Sequence, residues 1–334
     1  MTPLAHIAQP EQQPHHFTTV PVHFMPDFLR DLIRPTAELA EADVCLVGLP
    51  LDFGTVLEGG RAGAVHAPDA IRRELRRYHK TYNLEHNVSL ENLRIADAGN
   101  VDLRHPNHEE NHHRIREKLG ELCRQYPRVV VLGGSHDGTY STVRGLADAS
   151  GGQPVGGINL DAHADVKHKL GIISSGTPFG KLLREEFLAG FRFTEIGLHS
   201  NLNTQADINF LHEQQVHIVP LAHIQADGMP EYMRRALKRA GGPAFVSFDL
   251  DGCAEAYAPA VSAPSADGFT PRQAAEAAFL AGQAAEVRLF EVVELNPIFD
   301  RDNQTARLAA TIITAYLTGV AAGLTTAARI TTRI

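Results

Sequence analysis

Asp161, His163 and Asp165 stand at every second position where the run Gly157-Ile158-Asn159-Leu160 ends. In an extended chain alternate residues share one face, so two carboxylates and an imidazole point the same way where a buried strand runs out. Removing three such groups from water is costly unless something positive sits among them, and a divalent metal is the simplest such partner. Asp249 and Asp251 repeat the alternation at the end of a second apolar run, His136 follows a third, and Glu294 closes a fourth. Four aspartates and two histidines, with one glutamate nearby, favour a two-metal site. Oxygen ligands suit Mn and Mg, imidazole suits Zn, Fe and Ni, and no thiolate is offered. Two ions roughly 3.5–4 Å apart could share a bridging hydroxide, a strong nucleophile near neutral pH.

Groups so far apart in sequence meet only if a scaffold gathers the strand ends. Short buried-strand runs are expected at 44–49, 93–97, 128–132, 155–160, 193–198, 216–220, 244–249 and 287–294. Helices are expected at 68–78, from the cap Asn107 to 124, from 139, at 178–189, 204–212, 230–239 and 271–281, and from 303 past 318. Alternating strands and helices predict an α/β fold of three layers, α/β/α, around an open, parallel sheet of about eight strands. In such sheets ligands bind beyond the carboxyl ends of the strands, where these polar groups fall. Residues 1–40 read as an irregular N-terminal extension and 41–334 as one catalytic domain. The glycine-rich stretch 54–64 lacks the GxxxxGK pattern and reads as a loop without a phosphate role.

Composition narrows the function classes. The chain has 334 residues, 43% of them hydrophobic, and a formal net charge of -8, which argues against nucleic-acid binding. Its three scattered cysteines point to a reducing compartment, and residues 1–21 lack the apolar core of a signal peptide, so a cytoplasmic location is expected. Residues 308–328 carry no charge and are long enough to span a bilayer, yet are rich in Thr, Ala and Gly. They read as a buried helix, and no membrane partner is expected. Taken singly, Asp97, Asp102 and Asp137 read as helix caps or turn residues, and Cys253 as a packed small residue. His108 and His112 have the helical spacing of a metal pair within the patch His105, His108, His112 and His113. The flanking Glu109, Glu110 and Arg114 make that patch read as a solvated face.

Together these residues resemble the ureohydrolase family: arginases, agmatinases and formimidoylglutamases. Gly133-Gly134-Ser135-His136-Asp137 is similar to the family's first metal motif, and Asp161-Ala162-His163-Ala164-Asp165 to its second. Ser247-Phe248-Asp249-Leu250-Asp251, with Ala258-Pro259 and Ala263-Pro264 following, is similar to the third. Glu294-Leu295-Asn296-Pro297 resembles the segment that supplies a substrate-facing glutamate, and the likeness runs over about residues 44–318. The resemblance implies a parallel eight-stranded sheet, two Mn ions and a homo-oligomer, trimer or hexamer. It implies one ion held by His136, Asp161, Asp165 and Asp249, and another by Asp161, His163, Asp249 and Asp251. A metal-activated hydroxide would attack a guanidinium or amidinium carbon. Asp165 would pass its proton to the leaving amine, and Glu294 would face the planar cation.

Lys167 stands where arginases usually carry Asn. Three segments, Ser174-Ser175-Gly176-Thr177-Pro178-Phe179, Ala260-Val261-Ser262-Ala263-Pro264 and Glu294-Leu295-Asn296-Pro297-Ile298-Phe299-Asp300, look like formimidoylglutamases. Ser135-His136-Asp137 departs from the Gly-His-Glu more familiar in that subgroup. The small-molecule substrate implied is N-formimidoyl-L-glutamate, cleaved to glutamate and formamide in histidine breakdown. Arg61, Lys167, Thr177, His199 and Asn201 are the candidate substrate contacts. The alternatives are a guanidino-compound hydrolase releasing urea, a dinuclear phosphoesterase, and a binding protein that keeps the fold without catalysis.

Overall fold

The computed structural model describes residues 27–39 and 41–331. Nine strands form one sheet: β1 (Ile33–Pro35), β2 (Val44–Gly48), β3 (Ile95–Asn100), β4 (Val129–Leu132), β5 (Val155–Leu160), β6 (Leu188–Leu198), β7 (His217–Pro220), β8 (Ala244–Asp249) and β9 (Val287–Val293). Their order across the sheet is β1-β3-β2-β4-β9-β8-β5-β6-β7, with every neighbouring pair parallel. Among the described residues, ten α-helices run between and beyond them: α1 (Phe53–Leu57), α2 (Ala67–Tyr78), α3 (His108–Gln125), α4 (Gly138–Ala149), α5 (Pro178–Arg184), α6 (Gln205–Glu213), α7 (Leu221–Asp227), α8 (Met229–Ala240), α9 (Pro271–Gln283) and α10 (Gln304–Thr331).

The period-two alternation of side chains sorts the strand residues into two cores, one on each face of the sheet. Val44 and Leu46 of β2 join Ile71, Met233, Ala278 and Ile313 of α2, α8, α9 and α10. Cys45 and Val47 join Ile115, Val143, Leu182 and Leu211 of α3, α4, α5 and α6. This is the expected three-layer arrangement. The membrane-length segment lies in α10, where 61% of its most apolar window is buried. Its small residues let α9 and α10 pack backbone to backbone. A Cβ on Gly282 would stand 2.0 Å from the Tyr316 carbonyl oxygen, and one on Gly319 would stand 2.1 Å from that of Phe279.

Several boundaries differ from expectation. The ninth strand is β1, which pairs with β3 from within the stretch read as an irregular extension; residues 1–26 lie outside the described residues. The glycine-rich stretch is entered by α1. The helix expected over 178–189 stops at Arg184, since Glu186 turns to φ +60° and the chain enters β6 at Leu188. α7 was not expected at all: it begins directly after Pro220, at the end of β7, with no polar capping residue to announce it.

Candidate metal centre

Four adjacent strands, β4, β9, β8 and β5, aim their carboxyl ends at one spot. His136 comes from the loop after β4, Asp161, His163 and Asp165 from that after β5, and Asp249 and Asp251 from the end of β8. Gly134 makes the first loop possible, because a Cβ there would sit 2.0 Å from the Leu51 carbonyl oxygen. The Nδ1 of His136 lies 2.9 Å from Asp165, 3.0 Å from Asp249 and 3.4 Å from Asp161, measured to a carboxylate oxygen of each. The Nδ1 of His163 lies 3.3 Å from Asp251 and 3.6 Å from Asp161. Donor atoms therefore form two adjoining groups: His136, Asp161, Asp165 and Asp249 in one, Asp161, His163 and Asp251 in the other. Asp161 belongs to both. Asp249 stands with the first group only; its Oδ1 accepts the Asp251 backbone N–H at 2.8 Å.

The donor set fits a pair of cations. Among the described residues, the buried Nδ1 of His136 and Oδ1 of Asp251 make no hydrogen bond, although the former faces three carboxylates. Burial, then the neighbouring carboxylates Asp251 and Asp161, push the Asp249 carboxyl well above its ordinary range. Burial and Asp161 push Asp251 up to about 7 and raise Asp165. Asp161 shifts down despite its burial, drawn by His136 and His163. His163 is driven to about 12 against its own burial by Asp251 and Asp161. Crowded carboxylates that resist ionising together become compatible when positive charge lies between them.

A polar row beneath these donors was missed by the sequence reading. Asn159, Ser247, Glu291 and Glu195 are mutually in register across β5, β8, β9 and β6, and all are fully buried. Ser247 Oγ lies 3.0 Å from His136 Nε2 and so turns the ring to present Nδ1 to the carboxylates. Asn159 donates to Asp161 at 3.2 Å and to Glu195 at 2.9 Å. The signal was available: Asn159 and Ser247 each stand two residues before an aspartate of the donor cluster, on the same face of an otherwise apolar strand.

Glu294 caps β9 with φ +66°, and Asp165 has φ +47°, left-handed backbone that a residue with a Cβ rarely adopts. The Glu294 carboxylate accepts the His136 backbone N–H at 2.7 Å and the Thr55 hydroxyl at 3.0 Å. Both side chains line a cavity of about 300 Å3 above the donors, whose walls include Thr55, Glu58, Lys167, Asn203 and Ser262. Of the five candidate substrate contacts, Lys167 alone lines this cavity, and its Nζ is held 2.8 Å from Glu58. The other four stand elsewhere. Arg61 reaches the Val261 carbonyl and lies over the Phe299 ring, bracing the loop that holds Ser262. Thr177 is fully buried in a turn with Ser174. His199 packs behind the second motif, its backbone N–H on the Ala162 carbonyl, and Asn201 occupies a left-handed turn position. Asn203, not singled out from sequence, holds that motif in place: it accepts from the Ala164 N–H at 2.8 Å and donates to the Ala162 carbonyl at 3.0 Å.

The histidine patch is also corrected. His112 is buried and His108 nearly so, and both meet the buried Asp137, which makes no side-chain capping bond to α4. The two histidines lie on the inner face of α3, while Glu109 and Arg114 keep to its outer side. Burial opposes the Asp137 charge, but His108 and His112 hold its pKa down to about 2.

Known proteins share the sequence and the fold of this chain. The arginase family model matches residues 42–319. Klebsiella pneumoniae formimidoylglutamase is 33% identical over 80% of this chain and 83% of its own, and Gallus gallus mitochondrial agmatinase is 32% identical over 81% and 79%. A crystal structure of Trypanosoma cruzi formiminoglutamase with Mn2+ superposes with a TM-score of 0.80 at 32% identity, covering 84% of this chain and 94% of that one. The family model spans most of the chain and relatives more than 30% identical cover about four fifths of it, so the chain belongs to the arginase family.

Proposed function

We propose that this protein is a dinuclear metal hydrolase that cleaves N-formimidoyl-L-glutamate to L-glutamate and formamide. The observation that carries the reading is the polarity of the cavity. A buried carboxylate, Glu294, stands at its floor, and the cationic Lys167 stands on its wall with Lys169 behind it on the same Glu58. An amidinium group suits the first and the carboxylates of a diacid suit the second. Formimidoylglutamase relatives and the manganese-bearing T. cruzi structure support the same substrate and two Mn2+ ions, as does the oxygen-rich donor set.

His136, Asp161, Asp165 and Asp249 would hold one ion, with Asp161, His163 and Asp251 holding the other. Bound there, the ions supply Lewis acidity and a water of lowered pKa. Glu294 orients the amidinium by accepting its N–H groups, with its own oxygens fixed by His136 N and Thr55 Oγ1. Asp165 takes a proton from the attacking water on a carboxylate oxygen and returns it to the departing glutamate nitrogen. The left-handed backbone at both residues keeps these carboxylates aimed into the cavity.

One observation favours a second reading, hydrolysis of a guanidino compound with release of urea. Glu58 binds both lysines, so the wall presents little free positive charge to a substrate with one carboxylate or none. A panel of N-formimidoyl-L-glutamate, agmatine, 4-guanidinobutyrate and arginine, assayed for formamide and urea, separates the two. Formamide from the first and little urea from the rest is the expected result. Urea release with inert formimidoylglutamate overturns the proposal.

The reading extends to a cytoplasmic homo-oligomer, a trimer or hexamer. Three buried free cysteines support the reducing compartment, and apolar surface at Leu170, Ile298 and Phe299 supports association. Light scattering of the purified protein that returns a monomer mass would remove the oligomer from the reading.

A further inference from the structure

We propose that His108, His112 and Asp137 form a third metal site, separate from the paired cluster, that takes a borderline divalent cation of the zinc or nickel class. α3 places the two imidazoles one turn apart on its inner face. Their Nε2 atoms are 3.1 Å apart, and Oδ2 of Asp137 lies 3.0 Å from that of His112 and 3.3 Å from that of His108. Imidazole and carboxylate bind such ions at about 2.0–2.2 Å, which keeps tetrahedral ligand atoms roughly 3.3 Å apart. The three donors therefore already form one face of a tetrahedral shell. The Ile173 carbonyl oxygen, 3.2 Å from His108 Nε2, stands beside that shell as a further oxygen.

Hydrogen bonding accounts poorly for the arrangement. Both rings converge on one oxygen of Asp137, while the other, Oδ1, is buried with no partner among the described residues, as is Nδ1 of His108. Two N–H groups directed at a single acceptor from nitrogens 3.1 Å apart would bring their hydrogens together. A carboxylate using one oxygen toward two lone-pair donors is the pattern of a monodentate metal ligand. The outer nitrogen of His112 is fixed by Ser141 Oγ at 2.9 Å, which leaves Nε2 as its ligating atom. Access exists on both sides: a cavity of about 220 Å3 borders His108 and another of about 300 Å3 borders His112. Two imidazoles and one carboxylate select zinc, nickel or cobalt over magnesium. Because Asp137 adjoins His136 in the chain, an ion here would clamp α3 to the loop that supplies the paired cluster.

Cobalt tests the site, since Co2+ takes the place of zinc and reports tetrahedral coordination through intense visible absorption. Metal-free protein titrated with Co2+ should bind three equivalents per chain, and His112→Ala two, with loss of the tetrahedral bands. Two equivalents in the unaltered protein, unchanged by His112→Ala, would overturn the site. If His112→Ala does not fold, Asp161→Asn combined with Asp249→Asn and Asp251→Asn, which leaves neither group of the paired cluster with three donors, gives the same decision. One retained Co2+ with tetrahedral bands supports the site, and none overturns it. A zinc-edge anomalous map of crystals soaked in Zn2+ must likewise show a peak among His108, His112 and Asp137.

Discussion

On the floor of the cavity, the donors sit at or just beyond the ends of β4, β5 and β8, supported by a buried polar row in strand register. The rim is made instead by loops around Glu58, Lys167, Gly176, Leu202 and Ser262, and by Asp207 at the start of α6. Strand ends are fixed by the sheet's hydrogen bonds and by two cores, so floor geometry is inherited from the fold. Loop positions depend on local braces such as Arg61 on Val261 or Asn203 on Ala164. Under the proposed function, the contrast is between chemistry held rigidly and recognition set by replaceable contacts.

Removing a floor residue should have the largest consequence. Asp161 serves both donor groups, so Asp161→Ala should reduce bound metal to less than half and lower kcat by about 10^3-fold or more, several kcal/mol of lost stabilisation. Metal analysis and steady-state kinetics on one preparation check this. Activity within tenfold of the unaltered protein would mean that the floor is not where the chemistry is held.

The same contrast explains what the sequence disclosed. Asp161, His163, Asp165, Asp249 and Asp251 were legible because period-two spacing at strand ends is a backbone property, visible without the tertiary structure. The polar row shares that period at Asn159 and Ser247 and was within reach of the same argument. The inner face of α3 was also readable: His112, Ile115, Leu119 and Leu122 follow helical spacing, and all are buried. The acidic neighbours of His112 drew attention to the wrong side of that helix. The rim was not legible, because whether Arg61 or Lys167 enters the cavity depends on loop paths that no local periodicity records. The left-handed backbone at Glu294 left no mark either, since glutamate is not a residue that announces such a turn.

Rim substitutions should be smaller in effect and should act on binding. Lys167 makes a charge-assisted contact in a half-open setting, so Lys167→Ala should raise KM for N-formimidoyl-L-glutamate about tenfold and leave kcat within about threefold. Thr177→Ala, in the buried turn behind the rim, should instead cost about 1–2 kcal/mol of stability and leave KM nearly unchanged. Chemical denaturation and initial-rate kinetics separate the two effects. A fall in kcat for Lys167→Ala matching that of Asp161→Ala would erase the distinction between rim and floor.

Glu58 gives the smallest and most specific test, because it ties the rim together through charge. Burial works against its ionisation, but Lys167, Lys169 and Ser174 win and lower its pKa from 4.5 to about 2. A carboxyl whose pKa is depressed by folding contributes stability that is present above its unfolded value and is lost as pH falls toward its folded one. The difference in melting temperature between the unaltered protein and Glu58→Gln should therefore be full at neutral pH, begin to shrink below about pH 4.5, and be nearly gone near pH 2. The pair is partly solvated, so added salt should also narrow the gap at neutral pH. A gap that stays constant from neutral pH down to about pH 3 would show that Glu58 holds the lysines by shape and not by charge. The rim would then share the rigidity assigned to the floor.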